Sequence, residues 1–172
     1  MAREKLPIPL PFEQIMQRHQ REILRYLLRL SGNGADAADL FQETWLRAYR
    51  AYPRLEPGSE VRPWLYAIAV NLCRNRARDR ARRARLIAAV EGKNPQPDRL
   101  GKAHSGFSEN DGYAVVRMRE VVASLPPKQR EALQLRCFAG LDYAEIAAAM
   151  ACSAQGARAN VSKAIRKIKT MW

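Results

Sequence analysis

Near the start of the chain Phe12, Ile15, Met16, Ile23, Tyr26, Leu27 and Leu30 return at intervals of three, four and seven residues, with polar side chains between most of them. That period lines them along one side of a helix and predicts an amphipathic segment ending at Ser31-Gly32-Asn33-Gly34, where glycine favours a stop. A second helix begins near Asp36. Leu40, Phe41, Thr44, Trp45, Ala48 and Tyr52 fall on one of its sides, Asp39, Gln42, Glu43 and Arg47 on the other, and Pro53 ends it. Residues 54–59 read as a loop. Pro63 then suits the first turn of a third helix, because the N–H it lacks would have no intrahelical partner there. Val61, Trp64, Leu65, Ile68, Ala69 and Leu72 give that helix a core stripe, and Trp64 belongs to it by phase. From Arg74 onward the stripe yields to Arg76, Arg78, Arg80, Arg82, Arg83 and Arg85, opposed only by Asp79, so the second half is expected on the surface.

Periodicity disappears between about Ala88 and Gly112, where Gly92, Pro95, Pro97, Gly101, Ser105, Gly106 and Ser108 give the composition of a flexible tether. Helical spacing resumes at Tyr113 with Val115, Met118, Val121, Val122 and Leu125, and breaks at Pro126-Pro127. The next helix passes through Arg130, Leu133 and Cys137 to Gly140, a residue that takes the left-handed conformation cheaply. Asp142 and Glu145 then form a capping-box pattern, with Leu141 placed to staple onto Ile146. After the turn Met150-Ala151-Cys152-Ser153, Ser153 caps a final helix with Ala157, Val161, Ala164, Ile165 and Ile168 as its buried stripe. Two short helices across a tight turn make a helix-turn-helix, in which the first braces the second against a major groove. The predicted fold class is all-α: two small helical domains, 1–87 and 113–172, joined by a flexible linker at 88–112.

Charge changes the picture more than length does. In 172 residues the net charge is +13 and the pI near 10.3, a balance that favours a polyanion releasing counterions on contact with Lys and Arg. Nucleic acid is the expected partner. No apolar run approaches the roughly 20 residues of a membrane span, and MAREKLPIPLP lacks the apolar core of a secretory signal, so a cytoplasmic protein without membrane insertion is expected. Cys73, Cys137 and Cys152 form no metal-ligand spacing and are expected as small core residues. His19 and His104 have no ligand or carboxylate motif beside them. No metal, cofactor or catalytic residue is expected.

Two separated blocks resemble the sigma-70 family in its short extracytoplasmic-function branch. Asp36-Ala-Ala-Asp39-Leu-Phe-Gln42-Glu43-Thr-Trp-Leu-Arg47-Ala-Tyr, followed by Arg62-Pro-Trp64-Leu-Tyr-Ala-Ile-Ala-Val-Asn71, is similar to region 2 of that family, a helical bundle. Leu125-Pro-Pro-Lys-Gln-Arg130-Glu131-Ala-Leu through Gly140-Leu-Asp-Tyr143-Ala-Glu145-Ile-Ala is similar to region 4, a winged-helix-like domain of three or four helices. The resemblance implies core RNA polymerase, through its β′ and β subunits, promoter DNA and an anti-sigma factor as partners. It assigns polymerase docking to Asp39, Gln42, Glu43 and Arg47. It assigns capture of the melted minus 10 strand to Asn71, Arg74, Asn75 and Arg78, with the loop 54–61 beside them, and reading of the minus 35 duplex to Arg158, Ala159, Ser162, Lys163, Arg166 and Lys167. Asn160 and Gly156-Ala157 depart from the pattern usual in relatives.

The chemistry suits these roles. Asn71 and Asn75, one helical turn apart, offer hydrogen bonds to base edges, and the Arg series offers phosphate contacts. Arg158 can engage guanine O6 and N7 together. The alternatives are a stand-alone helix-turn-helix repressor and a metal-dependent nuclease using Asp36, Asp39 and Glu43. The sigma reading requires two tethered modules rather than one continuous core.

Overall fold

Phe12–Ser31 forms the first helix, α1, and turns Ile15, Ile23, Tyr26 and Leu27 inward. Gly34–Ala51 forms α2, whose buried side is Ala37, Leu40, Thr44, Trp45 and Ala48. The structure, a computed structural model, describes residues 10–31, 34–91 and 113–172, with the backbone alone at 91, 113–116 and 119. Thus Gly32, Asn33, the side chain of Val115, His104 and residues 92–112 of the tether expected at 88–112 lie outside the described residues. Phe12 clamps the start of α1 to the end of α2, meeting Trp45 at 5.9 Å and Tyr49 at 5.3 Å edge-on, a favoured aromatic geometry. A 3-10 turn over Tyr52–Arg54 follows, with Pro53 in it.

The third helix, α3, is a single 31-residue rod, Val61–Glu91. Its first half buries Leu65, Tyr66, Ala69, Val70 and Leu72 against α1 and α2, and Trp64 packs on that core as expected from its phase. The second half leaves Leu86, Ile87 and Val90 exposed, yet stays helical because Ala and Arg are strong helix formers. It runs past Ala88, where the sequence suggested that the linker begins. Alanine at 88 and 89 carries no loop signal of its own, so the first turn signal, Gly92, marks the boundary better.

The remaining helices are Tyr113–Ala123 (α4), Pro127–Cys137 (α5), Tyr143–Met150 (α6) and Ala154–Met171 (α7). Local chemistry sets their ends. Gly140 sits at φ 66°, which lets the Leu141 N–H reach back to the Leu135 carbonyl at 3.1 Å. The capping box is complete: Glu145 N–H donates to Asp142 Oδ1 at 2.8 Å, and Asp142 N–H donates to Glu145 Oε2 at 2.6 Å. Leu141 and Ile146, the staple pair, are both fully buried. Ser153 Oγ accepts from Gly156 N–H at 3.0 Å and starts α7. Among the described residues there is no strand, and no helix is long and apolar enough to cross a membrane.

Several expectations change. Met16 and Ile165 are exposed, because each lies at the edge of its helix's apolar stripe where no neighbouring helix reaches. Cys137 and Cys152 are exposed rather than buried, one ending α5 and the other in the turn before α7. Cys73 alone is sheltered, and burial pushes its thiol up to about 12. His19 does have a carboxylate partner, bonding Glu22 one turn along α1. The largest change concerns the two halves. They share one apolar cluster, with α6 packed on α3 and Leu135, Ala139, Leu141, Ile146 and Met150 continuing the core of Leu65, Tyr66 and Ala69.

Candidate nucleic-acid interface

The arginines of α3 divide among three surroundings. Asn71, Asn75 and Arg78 fall on one exposed stripe, which Arg82 and Arg85 prolong at the same helical phase. Arg78 Nη1 lies 3.5 Å from Asn75 Oδ1, and Arg78, Ala81, Arg82, Arg85 and Leu86 line an open depression of about 450 Å³. Arg76 and Arg80 point the other way, toward α2. Arg76 Nη2 donates to Asp36 Oδ1 at 2.7 Å and to Asp39 Oδ2 at 3.2 Å, while Arg80 bonds the second oxygen of Asp36.

Arg74 has a third fate. It flanks the stripe but turns to α5, where its Nε and Nη2 both donate to Glu131 Oε2, at 3.0 and 2.7 Å. The guanidinium is 23% exposed and the carboxylate 15%, and their hydrogen bonding pushes the Arg74 pKa above its ordinary value. The structure therefore brings Asn71, Asn75 and Arg78 together and draws Arg74 aside, so the whole second half of α3 is not free at the surface. Arg82 and Arg85, named above in the Arg series but not among the residues assigned to the minus 10 strand, complete the stripe. The heptad-like spacing of 71, 75, 78, 82 and 85 carried that signal.

On α2, Asp39, Gln42 and Arg47 are exposed and Glu43 is half-buried, all on the side away from the core. Glu43 and Arg47 pair at 2.6 Å. The structure adds Leu46, an exposed apolar side chain in the middle of this acidic and amide face; its phase with Gln42 and Glu43 was readable. Among the described residues no group of three or more His, Cys, Asp and Glu is placed to hold a metal ion. Asp36 and Asp39 are instead occupied by arginine, as the nuclease alternative does not require.

The last helix presents Arg158, Ala159, Ser162, Lys163, Arg166 and Lys167 to solvent, and Gln155 shares the phase of Ala159, Ser162 and Arg166. Arg158 lies over the Tyr143 ring at 5.0 Å from the centroid, with Arg136 at 5.2 Å, so one ring orients two cations. Lys167 Nζ reaches the Ser124 carbonyl at 3.5 Å and sits at the opposite edge. Gly156 has a local reason: a Cβ there would lie 3.2 Å from the capping Ser153 Oγ.

Comparison with known proteins divides the sequence into two regions, although the two halves share one apolar core. Residues 15–83 match the sequence family Sigma-70 region 2, and residues 116–168 match Sigma-70, region 4. The chain is 31% identical over 160 residues to RNA polymerase sigma factor CarQ of Myxococcus xanthus, covering 93% of this chain and 88% of that one. It is 35% identical over 153 residues to the ECF RNA polymerase sigma factor SigC of Mycobacterium tuberculosis, covering 88% and 78%. Its fold is similar to that of the sigma factor RpoE in complex with the anti-sigma factor NepR from Bartonella quintana, with a TM-score of 0.71 at 23% identity over 93% and 95% of the two chains. A similar likeness holds to CnrH in complex with the cytosolic domain of CnrY, with a TM-score of 0.65, 21% identity and coverage of 93% and 86%. Two matched regions in this order, and relatives aligned over most of their length, place the chain in the sigma-70 family as an extracytoplasmic-function RNA polymerase sigma factor.

Proposed function

We propose that the chain carries core RNA polymerase to promoters in the cytoplasm, docking through α2 and gripping DNA at two separate surfaces, and that it catalyses no reaction itself. Asp39, Gln42, Glu43 and Arg47, with Leu46 among them, form the docking face for the β′ subunit. Acidic groups there would repel DNA and instead suit the basic side chains of a protein partner. Asn71, Asn75 and Arg78, together with Arg74 once released, hold the melted minus 10 strand, the amides reading base edges and the guanidiniums meeting phosphates. Arg158 reads a minus 35 base, Ala159 and Ser162 face the groove floor, and Lys163, Arg166 and Lys167 hold phosphates. The first module thus runs to Glu91, the second spans 113–172, and 92–112 act as the tether. An anti-sigma factor is the expected regulator, as in the complexes of similar fold.

One observation supports this reading most: two exposed basic surfaces of different character, an Asn/Arg stripe on α3 and a helix-turn-helix face on α7, in one chain of charge +13. In vitro transcription with core polymerase over a promoter library tests it. Arg158→Ala is expected to relax preference at one minus 35 base, with about 1 to 3 kcal/mol of discrimination lost. Asn71→Ala is expected to impair opening while leaving upstream duplex binding intact. Binding to duplex alone, with transcription blocked and core enzyme never engaged, would replace this reading with a stand-alone repressor.

A further inference from the structure

Resting on the reading of Arg158 as the residue that meets a minus 35 base, we propose that Tyr143 is its positioning residue: the Tyr143 ring, fixed at the start of α6, seats the Arg158 guanidinium and so sets how sharply that base is discriminated. Arg158 is exposed on α7, and its guanidinium carbon stands 5.0 Å from the centre of the ring. That is cation–π distance. The contact joins the two helices of the helix-turn-helix, with Tyr143 on the bracing helix and Arg158 on the one that enters the groove.

Both supports of the contact are rigid. Tyr143 is the first residue of α6, directly after Asp142, whose capping box with Glu145 closes that end of the helix at 2.8 and 2.6 Å. Its ring is half-buried and packs on the apolar core, which leaves it little room to turn. On α7, Ala157 and Val161 are buried at 0% and 1% exposure and pin the backbone that carries Arg158. What stays loose is the arginine side chain itself, and ordering so long a chain costs conformational entropy at the moment of binding. The ring removes part of that cost beforehand.

The kind of partner matters as much as its place. A carboxylate beside Arg158 would take up the N–H donors that guanine O6 and N7 require, whereas an aromatic ring attracts the charge and leaves those donors available. Arg74, Arg76 and Arg80 on α3 are tied by carboxylates; Arg158 is held by a ring instead. Arg136 shares the ring at 5.2 Å but spends its Nη1 on the Leu141 carbonyl at 2.9 Å, so of the two cations Arg158 keeps more of its donors for a base. A seated Arg158 also has less freedom to swing to a neighbouring base or phosphate. A mismatched site therefore loses a contact that a loose arginine would recover, and discrimination rises.

The test is transcription by the full chain with core polymerase on promoters that differ by single base pairs in the minus 35 element, scored at each position as the output ratio between the preferred pair and its replacements. The position read by Arg158 is the one whose ratio collapses in Arg158→Ala. Tyr143→Leu is expected to lower the ratio there about two- to fivefold, the worth of an exposed cation–π contact, and to leave the other positions unchanged. Tyr143→Met, a second ring-free variant, should do the same, and Tyr143→Phe, which keeps the ring, should retain the parental ratio. In the Arg158→Ala background Tyr143→Leu should change nothing further, since two residues acting through one contact are not additive. The seat is overturned by a parental ratio in both ring-free variants, by an equal loss at every position, or by a loss in Tyr143→Phe as large as in Tyr143→Leu. A raised ratio in Tyr143→Leu also overturns it, because the ring would then be withholding Arg158 rather than presenting it. If Arg158→Ala itself leaves every ratio intact, the base-reading role of Arg158 fails first, so the two failures are told apart.

Discussion

Asp36 sits in the first turn of α2 with its carboxylate only 14% exposed, bonded at 2.7 Å to Arg76 and also to Arg80. Asp36→Ala removes both bonds and a negative charge near a helix N-terminus. A charge-assisted hydrogen bond is worth about 1.5 to 3 kcal/mol when buried. Arg76 and Arg80 are 36% and 42% exposed, so solvent reduces each bond to about 0.5 to 1 kcal/mol. The interaction with the helix terminus adds roughly 0.3 to 1 kcal/mol. The expected loss is therefore about 1.3 to 3 kcal/mol, or roughly 3 to 12 °C in Tm for a chain of this size. DNA binding should move the opposite way. Arg80 becomes free for phosphate while Arg76 keeps Asp39, and with about 0.7 counterions released per contact on a single strand, the slope of log K against log salt should steepen by about 0.7. Urea denaturation and fluorescence anisotropy across a salt series measure the two effects on one sample. A variant as stable as the parent, or one destabilised with an unchanged salt slope, would refute the idea that Asp36 ties down both arginines.

Two further predictions follow from local features. Burial raises the Glu22 carboxyl, but the His19 hydrogen bond and the Arg62 guanidinium outweigh it and hold Glu22 below its ordinary 4.5. The stability it contributes is thus complete above that value and is lost as pH falls through the lower folded value, so Glu22→Gln should flatten the acid limb of a Tm-against-pH curve. Ala151 adopts the left-handed conformation, φ 51° and ψ 54°, to end α6. Ala151→Gly relieves about 1 to 2 kcal/mol of crowding against a chain-entropy cost of about 0.5 to 1 kcal/mol, and should raise stability by up to about 1 kcal/mol by urea denaturation.

Features fixed by near neighbours in sequence were legible: the Pro126-Pro127 restart, Gly140, the Asp142–Glu145 capping box and the inward phase of Trp64 all depend on residues within a turn or two. What the residues could not disclose depends on which helix lies alongside. The Arg series of α3 reads as one basic face, but its division into a bare stripe, a pair tied to Asp36 and a single residue tied to Glu131 is set by α2 and α5. The same holds for Cys137 and Cys152, whose type suggests burial and whose positions deny it. The shared core does leave a signal in the sequence: Ala144-Glu145-Ile146-Ala147-Ala148-Ala149-Met150 is apolar almost all round, as befits a helix buried on more than one side.

The stripe on α3 also has a length. From Asn71 to Arg85 the helix rises roughly 21 Å at about 1.5 Å per residue. Stacked bases advance about 3.4 Å along one strand, so this ruler measures on the order of six nucleotides, and fewer where the strand is stretched. Because the opposite edge of the rod is neutralised by aspartate, a strand bound as proposed would have only one track to follow, and the register of its bases against Asn71 and Asn75 would be set by where that track begins.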